Sequence, residues 1–229
     1  MTIAFDSASA IQTNAVAGAW TIPFTPIGTP AGILVLALSI STTTDSITGV
    51  TYAGTGMTEV TGSPNPGGTA NSYSYFLSAP TAGTQDCVIT TTNTNARRAM
   101  VIAVTSATGT TAVIDSDGTS GNPLDDPSVT MNMGANTCLV FTVLNSYDDT
   151  TGDIAPGVSY TTIAERDEGL QVNGFARSTS TMTGDQAADW TTAISDSSNL
   201  FAVALAESGG GGGGGVMTDP FGMTGFFGG

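Results

Sequence analysis

Along almost the whole chain the apolar residues recur with a period of two, and this pattern confines it to β structure. SITGVTYAG (46–54), SYSYFLSA (72–79), DCVITTT (86–92), AMVIAVTSA (99–107), SVTMNM (128–133), TCLVFTVL (137–144), LQVNGFA (170–176) and NLFAVALAE (199–207) set Val, Ile, Leu, Phe or Tyr against Thr, Ser or Asn. Successive side chains of a strand point to opposite faces, so this alternation marks half-buried strands. AVAGAWTIPF (15–24) alternates in the same way around Trp20. GILVLALSI (32–40) departs from it, because Ile33, Leu34, Val35 and Leu36 leave no polar face. Such a run predicts a central strand covered on both sides.

Between these segments stand turn signals. GSPNPGG (62–68), DSDGTSGNPLDDP (115–127), YDDTTGDIAPG (147–157) and TGDQAADW (183–190) cluster Gly, Pro, Asn and Asp and are expected to be loops. Turn signals every ~8–12 residues predict a sandwich or barrel. No stretch of a dozen residues carries a helical stripe; one helical turn around Asp185 to Trp190 is the only helix the sequence suggests. No internal repeat is plain, although GVTYAGTGMTEV (49–60) and GVSYTTIAERDE (157–168) share a Gly-Val-x-Tyr opening. The reading is one antiparallel β-sandwich domain over 1–207, jelly-roll-like, followed by a Gly-rich tail at 208–229. In that tail, Gly209–Gly215 form a run of glycine, which on its own is a flexible coil. Beyond it Met217, Phe221, Met223, Phe226 and Phe227 put apolar side chains on a tether, and these are the expected partner-docking residues.

Charge excludes several functions. The 229 residues include 19 acidic and four basic ones (Arg97, Arg98, Arg166 and Arg177), for a net charge of -15. Nucleic-acid binding works by cations displacing phosphate counterions, and this chain has few to offer. Anionic membrane surfaces are disfavoured on the same ground. With no histidine, a Ser-His-Asp or Cys-His arrangement cannot be built. With no lysine, neither can a Schiff base or a phosphate-binding loop lysine. Cys87 and Cys138 lie in apolar runs and are expected as small buried side chains.

Paired carboxylates are the remaining route to catalysis. Asp125 with Asp126, Asp148 with Asp149, and Glu165 with Asp167 and Glu168 all lie in turn-like segments. There an aspartate ordinarily accepts local backbone hydrogen bonds. The expectation is therefore a protein without catalytic residues. DSDG (115–118) resembles the start of a Ca²⁺ loop, but Gly118 comes two residues early and no Glu closes it at the twelfth position. A solvated hairpin loop is the favoured reading there, with an irregular Ca²⁺ site as the alternative. Trp20 is expected in the core; Trp190, Tyr73 and Tyr75 are the other aromatics that a glycan platform would draw on.

The order of motifs resembles a widespread group of bacterial and phage β-sandwich domains. In that group an opening FDAAS, a strand LLVVGVS, a segment VTSVTYGGVALT and a closing strand WAIVGVALK follow one another. Here the matching segments are FDSAS (5–9), ILVLALS (33–39), ITGVTYAGTGMTEV (47–60) and LFAVALAE (200–207). The resemblance spans nearly all of 1–207, implies a sandwich, and transfers no catalytic residue. Its members occur in phage particles and on cell surfaces. MTIAFDSASA lacks the basic and apolar stretches of a secretion signal, which favours the phage side. The expected role is a virion structural protein made in the host cytoplasm: a head decoration or cement protein, homotrimeric, partnered by the major capsid protein and other virion proteins. The alternative is a carbohydrate- or cell-surface-binding module of a tail fibre or adhesin.

Overall fold

A computed structural model describes residues 2–40, 46–66, 70–122, 124–147, 149, 152–167, 171–193 and 197–208. The Gly-rich tail expected at 208–229 lies outside these residues beyond Ser208. The described residues are all strand, turn and coil, with no helix among them. The first half contains β1 (Ala4–Ala8), β2 (Gln12–Asn14), β3 (Gly18–Phe24), β4 (Gly32–Ile40), β5 (Ile47–Tyr52), β6 (Thr55–Gly56), β7 (Thr58–Glu59), β8 (Asn65–Pro66), β9 (Ala70–Ser78), β10 (Gln85–Thr91) and β11 (Arg97–Thr105). The second contains β12 (Thr111–Gly121), β13 (Ser128–Asn132), β14 (Cys138–Tyr147), β15 (Ile154–Pro156), β16 (Tyr160–Asp167), β17 (Gln171–Ser178), β18 (Asp185–Thr192) and β19 (Ser198–Glu207).

Every pairing is antiparallel, and the strands form four stacked sheets. An outer sheet of the first half runs β3-β10-β5-β6, and its inner sheet runs β1-β11-β4-β9-β7, with β2 on β11 and β8 on β9. The second half repeats this plan: inner sheet β12-β19-β14-β17-β16, outer sheet β13-β18-β15. The five-strand paths of the inner sheets correspond one to one, with β11 beside β4 and β19 beside β14, while β2, β6 and β8 have no counterpart among the described strands of the second half. The single sandwich expected over 1–207 is thus resolved into two sheet pairs stacked through their inner sheets. The Gly-Val-x-Tyr segments do not occupy matching places: residues 49–52 lie within β5 of an outer sheet, whereas residues 157–159 form the turn before β16 of an inner sheet, which begins at Tyr160.

Three apolar layers separate the four sheets. Trp20, Ile22, Ile33, Val35, Tyr73, Tyr75, Cys87 and Val101 fill the first. Met131, Cys138, Val140, Val172, Trp190 and Ala204 belong to the third. The middle layer joins the halves: Leu34, Leu36, Leu38, Met100, Ile102 and Val104 meet Leu139, Phe141, Val143, Phe175, Phe201 and Val203. This explains why β4 has no polar face, since its odd residues serve one layer and its even residues another. The same holds for β11, β14 and β19.

Polar groups close one end of the middle layer. Asn199 Nδ2 donates to Asn65 O at 3.0 Å, Asn65 Nδ2 to Leu200 O at 3.1 Å, and Asn173 Nδ2 to Asn145 Oδ1 at 2.8 Å. Ser72 Oγ donates to Asn199 Oδ1. Asn199 and Ser72 are fully buried, so the bonds of Asn65, Ser72 and Asn199 between the halves fix their register as well as satisfying polar groups, while the bond from Asn173 to Asn145 ties β17 to β14 within the second half.

Four segments expected as loops carry strand: Asn65–Pro66 of GSPNPGG is β8 and pairs with β9, Ile154–Pro156 of YDDTTGDIAPG is β15 and pairs with β18, and two longer stretches depart further. DSDGTSG (115–121), expected as a loop, continues β12 and pairs with β19 as far as Gly121. Its Gly118 serves a close approach, because a Cβ there would stand 2.6 Å from Asn65 Nδ2 and 2.8 Å from Phe201 Cδ2. Asp185 to Trp190, expected as a helical turn inside a loop, belongs to β18, which pairs with β13 on one side and β15 on the other. Two flanking ladders and the burial of Ala188 and Trp190 outweigh its Asp, Gln and Ala content.

Trp190 is packed over Gly174, where a Cβ would lie 2.5 Å from Cη2 of the indole, and its Nε1 donates to Thr142 Oγ1 at 3.0 Å. Gly174→Ala is therefore expected to cost ~1–3 kcal/mol by overpacking, measured by urea unfolding. Adding Trp190→Phe to it should cost less than the sum of the two single changes, because the smaller ring leaves room for the new methyl group.

Candidate functional site

The carboxylates singled out in the sequence serve different local ends. Asp126 Oδ1 accepts from Thr192 N at 3.0 Å, tying the turn before β13 to the end of β18. Asp149 is buried and accepts from Ser146 Oγ at 2.6 Å. Glu165 Oε1 lies 3.4 Å from its donor, Thr162 Oγ1, on the same strand. Asp125 and Asp167 are exposed; Asp148 and Glu168 lie outside the described residues. Asp115 Oδ2 accepts from Asn132 N at 2.6 Å, linking β12 to β13 across the second sheet pair, and Asp117 Oδ1 accepts from Gly118 N at 2.8 Å. The DSDG run is therefore a paired strand instead of a loop, and no three of His, Cys, Asp and Glu gather among the described residues. Asp6, which the sequence reading passed over, receives the amides of Ile27 and Gly28 at 2.8 Å each and anchors the loop before β4.

Three of the four arginines are buried or half-buried. Arg97 is fully buried, and its guanidinium donates to Asn93 O and Oδ1. Burial lowers its pKa, with the Tyr73 hydroxyl opposing. Arg98 faces the middle layer and donates through Nη1 to Arg97 O at 3.0 Å. Arg177 lies half-buried with Cζ 4.6 Å from the centre of the Phe5 ring, a cation–π contact between the halves. Arg166 is exposed on β16. Together with Arg98, Thr13 and Asn14 it lines a hollow of about 320 Å³. Three of the four cations thus support the interior or the join, and the exposed charge is dominated by carboxylates such as Glu59, Asp86, Asp117, Asp125, Asp126, Asp153, Asp167 and Asp185.

The aromatics that a glycan platform would use are in the cores: Trp20 is 7% exposed, Tyr75 4%, and Tyr73 and Trp190 0%. The docking residues Met217, Phe221, Met223, Phe226 and Phe227 lie outside the described residues. The chain reaches them from a defined place, since Ser208 N donates to Thr110 O at 3.2 Å and Thr108 N to Glu207 Oε1 at 2.6 Å. Beside this exit opens the larger hollow, a groove of about 600 Å³ between β7 and β12, with Val60, Phe76, Val113 and Ile114 among its lining. The sequence reading missed it, having placed 115–121 in a loop. Its one sequence signal is the adjacent pair Val113 and Ile114, where the pairing of β12 with β19 slips by one residue.

Cys87 and Cys138 are free and buried, as small core side chains are expected to be. Burial pushes their thiols up to about 12 and about 11, and the Tyr160 hydroxyl up to about 12. Above about pH 8.5 an unfolded thiol loses its proton while the folded one keeps it. Stability contributed by the two thiols is therefore whole below that pH and lost as pH rises through the folded values. The urea midpoint is expected to fall from pH 8.5 to 10.5, and to fall less steeply in the Cys87→Ala/Cys138→Ala variant.

No family model matches the chain, and neither a curated protein nor a solved structure matches it.

Proposed function

We propose that this chain is a non-enzymatic structural protein of a phage particle, a decoration or cement protein that binds the major capsid protein and assembles with copies of itself, as a trimer. The observation that carries this reading is the separation of charge: Arg97, Arg98 and Arg177 at the interior and the join with Arg166 alone exposed, and most described carboxylates, Asp149 excepted, toward the outside. A surface of this kind repels packaged nucleic acid and stays soluble at high local density. Four sheets held by three apolar layers also suit a part that bears load, and symmetric assembly is the usual route for such parts. The apolar segment beyond Gly215 would engage a neighbouring copy or the shell. The burial of Trp20, Tyr73, Tyr75 and Trp190 favours this role over glycan binding through an aromatic platform.

Antibodies raised against the chain are expected to label the outside of intact particles of the phage that encodes it. Light scattering of the purified protein is expected to give a trimer mass. Absence of the chain from purified particles would overturn the reading, and glycan-array binding by a monomer would replace it with the surface-binding one.

A further inference from the structure

The groove between β7 and β12 has an open strand edge, an apolar floor and a neighbour in sequence that suits it. Among the described residues β12 is the outer strand of its sheet and its backbone ladder is with β19 alone, so alternate peptides along it face away from β19; of these the Thr111 amide is 3.3 Å from Ser78 Oγ. An open edge of this kind pairs readily with an added extended segment. Val60 and Phe76 form the buried floor and Val113 and Ile114 are half-buried. Glu59 and Asp115 stand on the lining, which disfavours an acidic occupant and admits an uncharged one.

We propose that in the free protein this groove holds the chain's own segment Phe221–Phe227, its apolar side chains over Val60, Phe76 and Val113. FGMTGFF carries no charge, unlike most of this acidic chain. It also lies within reach. Thr111, at one end of the groove, is the strand partner of Glu207, and the lining residues Thr111 to Ser116 extend over ~17 Å of strand. The seven glycines that follow Ser208, Gly209–Gly215, have a root-mean-square span of ~15 Å as a coil, and Val216 to Pro220 add further length. A tether this short sets an effective concentration in the millimolar range, so even a weak site is filled by the chain's own segment before that of another copy. The inference concerns one chain in solution and does not depend on a role in particles.

Hydrogen exchange on the intact protein tests it, comparing the natural chain with the full-length Phe226→Asp/Phe227→Asp variant. Amides of Ala112 to Ser116 are expected to exchange at least tenfold faster in the variant, while those of Val140 to Val143 in the central strand β14 stay unchanged and report an intact fold. The protection in the natural chain is expected to be the same at 1 µM and 100 µM. Equal exchange in both proteins would overturn the proposal. Protection that grows with concentration, together with a doubled mass, would also overturn it by making a second copy the occupant.

Discussion

The middle apolar layer is the constraint from which the other features follow. It is built from the even residues of β4 and β11 on one side and the odd residues of β14 and β19 on the other. Because these strands also serve the outer layers, they must be apolar on both faces, and their backbone polar groups must be satisfied entirely by the ladders. That demand suits antiparallel strands of nine or ten residues whose central ladders, β4 with β11 and β14 with β19, run without a register shift. It places polar side chains at the ends of the layer, where Ser72, Asn145, Asn173 and Asn199 bond to one another or to backbone. Hydrophobic burial drives the two inner sheets together without specifying direction, and the hydrogen bonds at the rim select one register.

Burial on both faces also governs the charge pattern. An inner strand has little room for an ionised group, so Arg97 and Arg98 lie near the beginning of β11, where their guanidinium groups reach carbonyl oxygens. Carboxylates remain at turns and outer strands, where several accept backbone amides and the others meet solvent. The electrostatics of the surface therefore follow from the layering, and the proposed role outside a shell uses a surface that the fold had to make acidic or neutral.

Much of the fold was legible in the alternation. The strands at 32–40, 99–107, 137–144 and 199–207 stand where the apolar runs predict them, and the doubly apolar GILVLALSI is buried on both faces. The repeated strand order of the two inner sheets was not legible, because matching strands share a pattern of burial, and the shared Gly-Val-x-Tyr opening falls on elements that do not correspond. DSDGTSG read as a turn for a related reason. Its Asp and Gly residues favour turns locally, yet an edge strand tolerates them when one ladder and close packing of Phe201 hold it. Of the candidate site, the carboxylates and cysteines could be placed by type, whereas the groove depends on two edges from different halves and its one local signal, Val113 next to Ile114, does not by itself mark a groove.

The position of the last strand in each half bears on how the chain is made. β11 lies between β1 and β4, and β19 between β12 and β14, so each inner sheet is completed by insertion of its final strand at an interior position. During synthesis the first sheet pair can close once β11 has left the ribosome, but it then carries a bare face of Leu34, Leu36, Leu38, Met100, Ile102 and Val104. That face stays uncovered until residues up to Glu207 emerge and β19 enters its sheet. A ribosome that stops early thus releases a sticky half-protein, and the chain depends on prompt completion or on a chaperone during that interval.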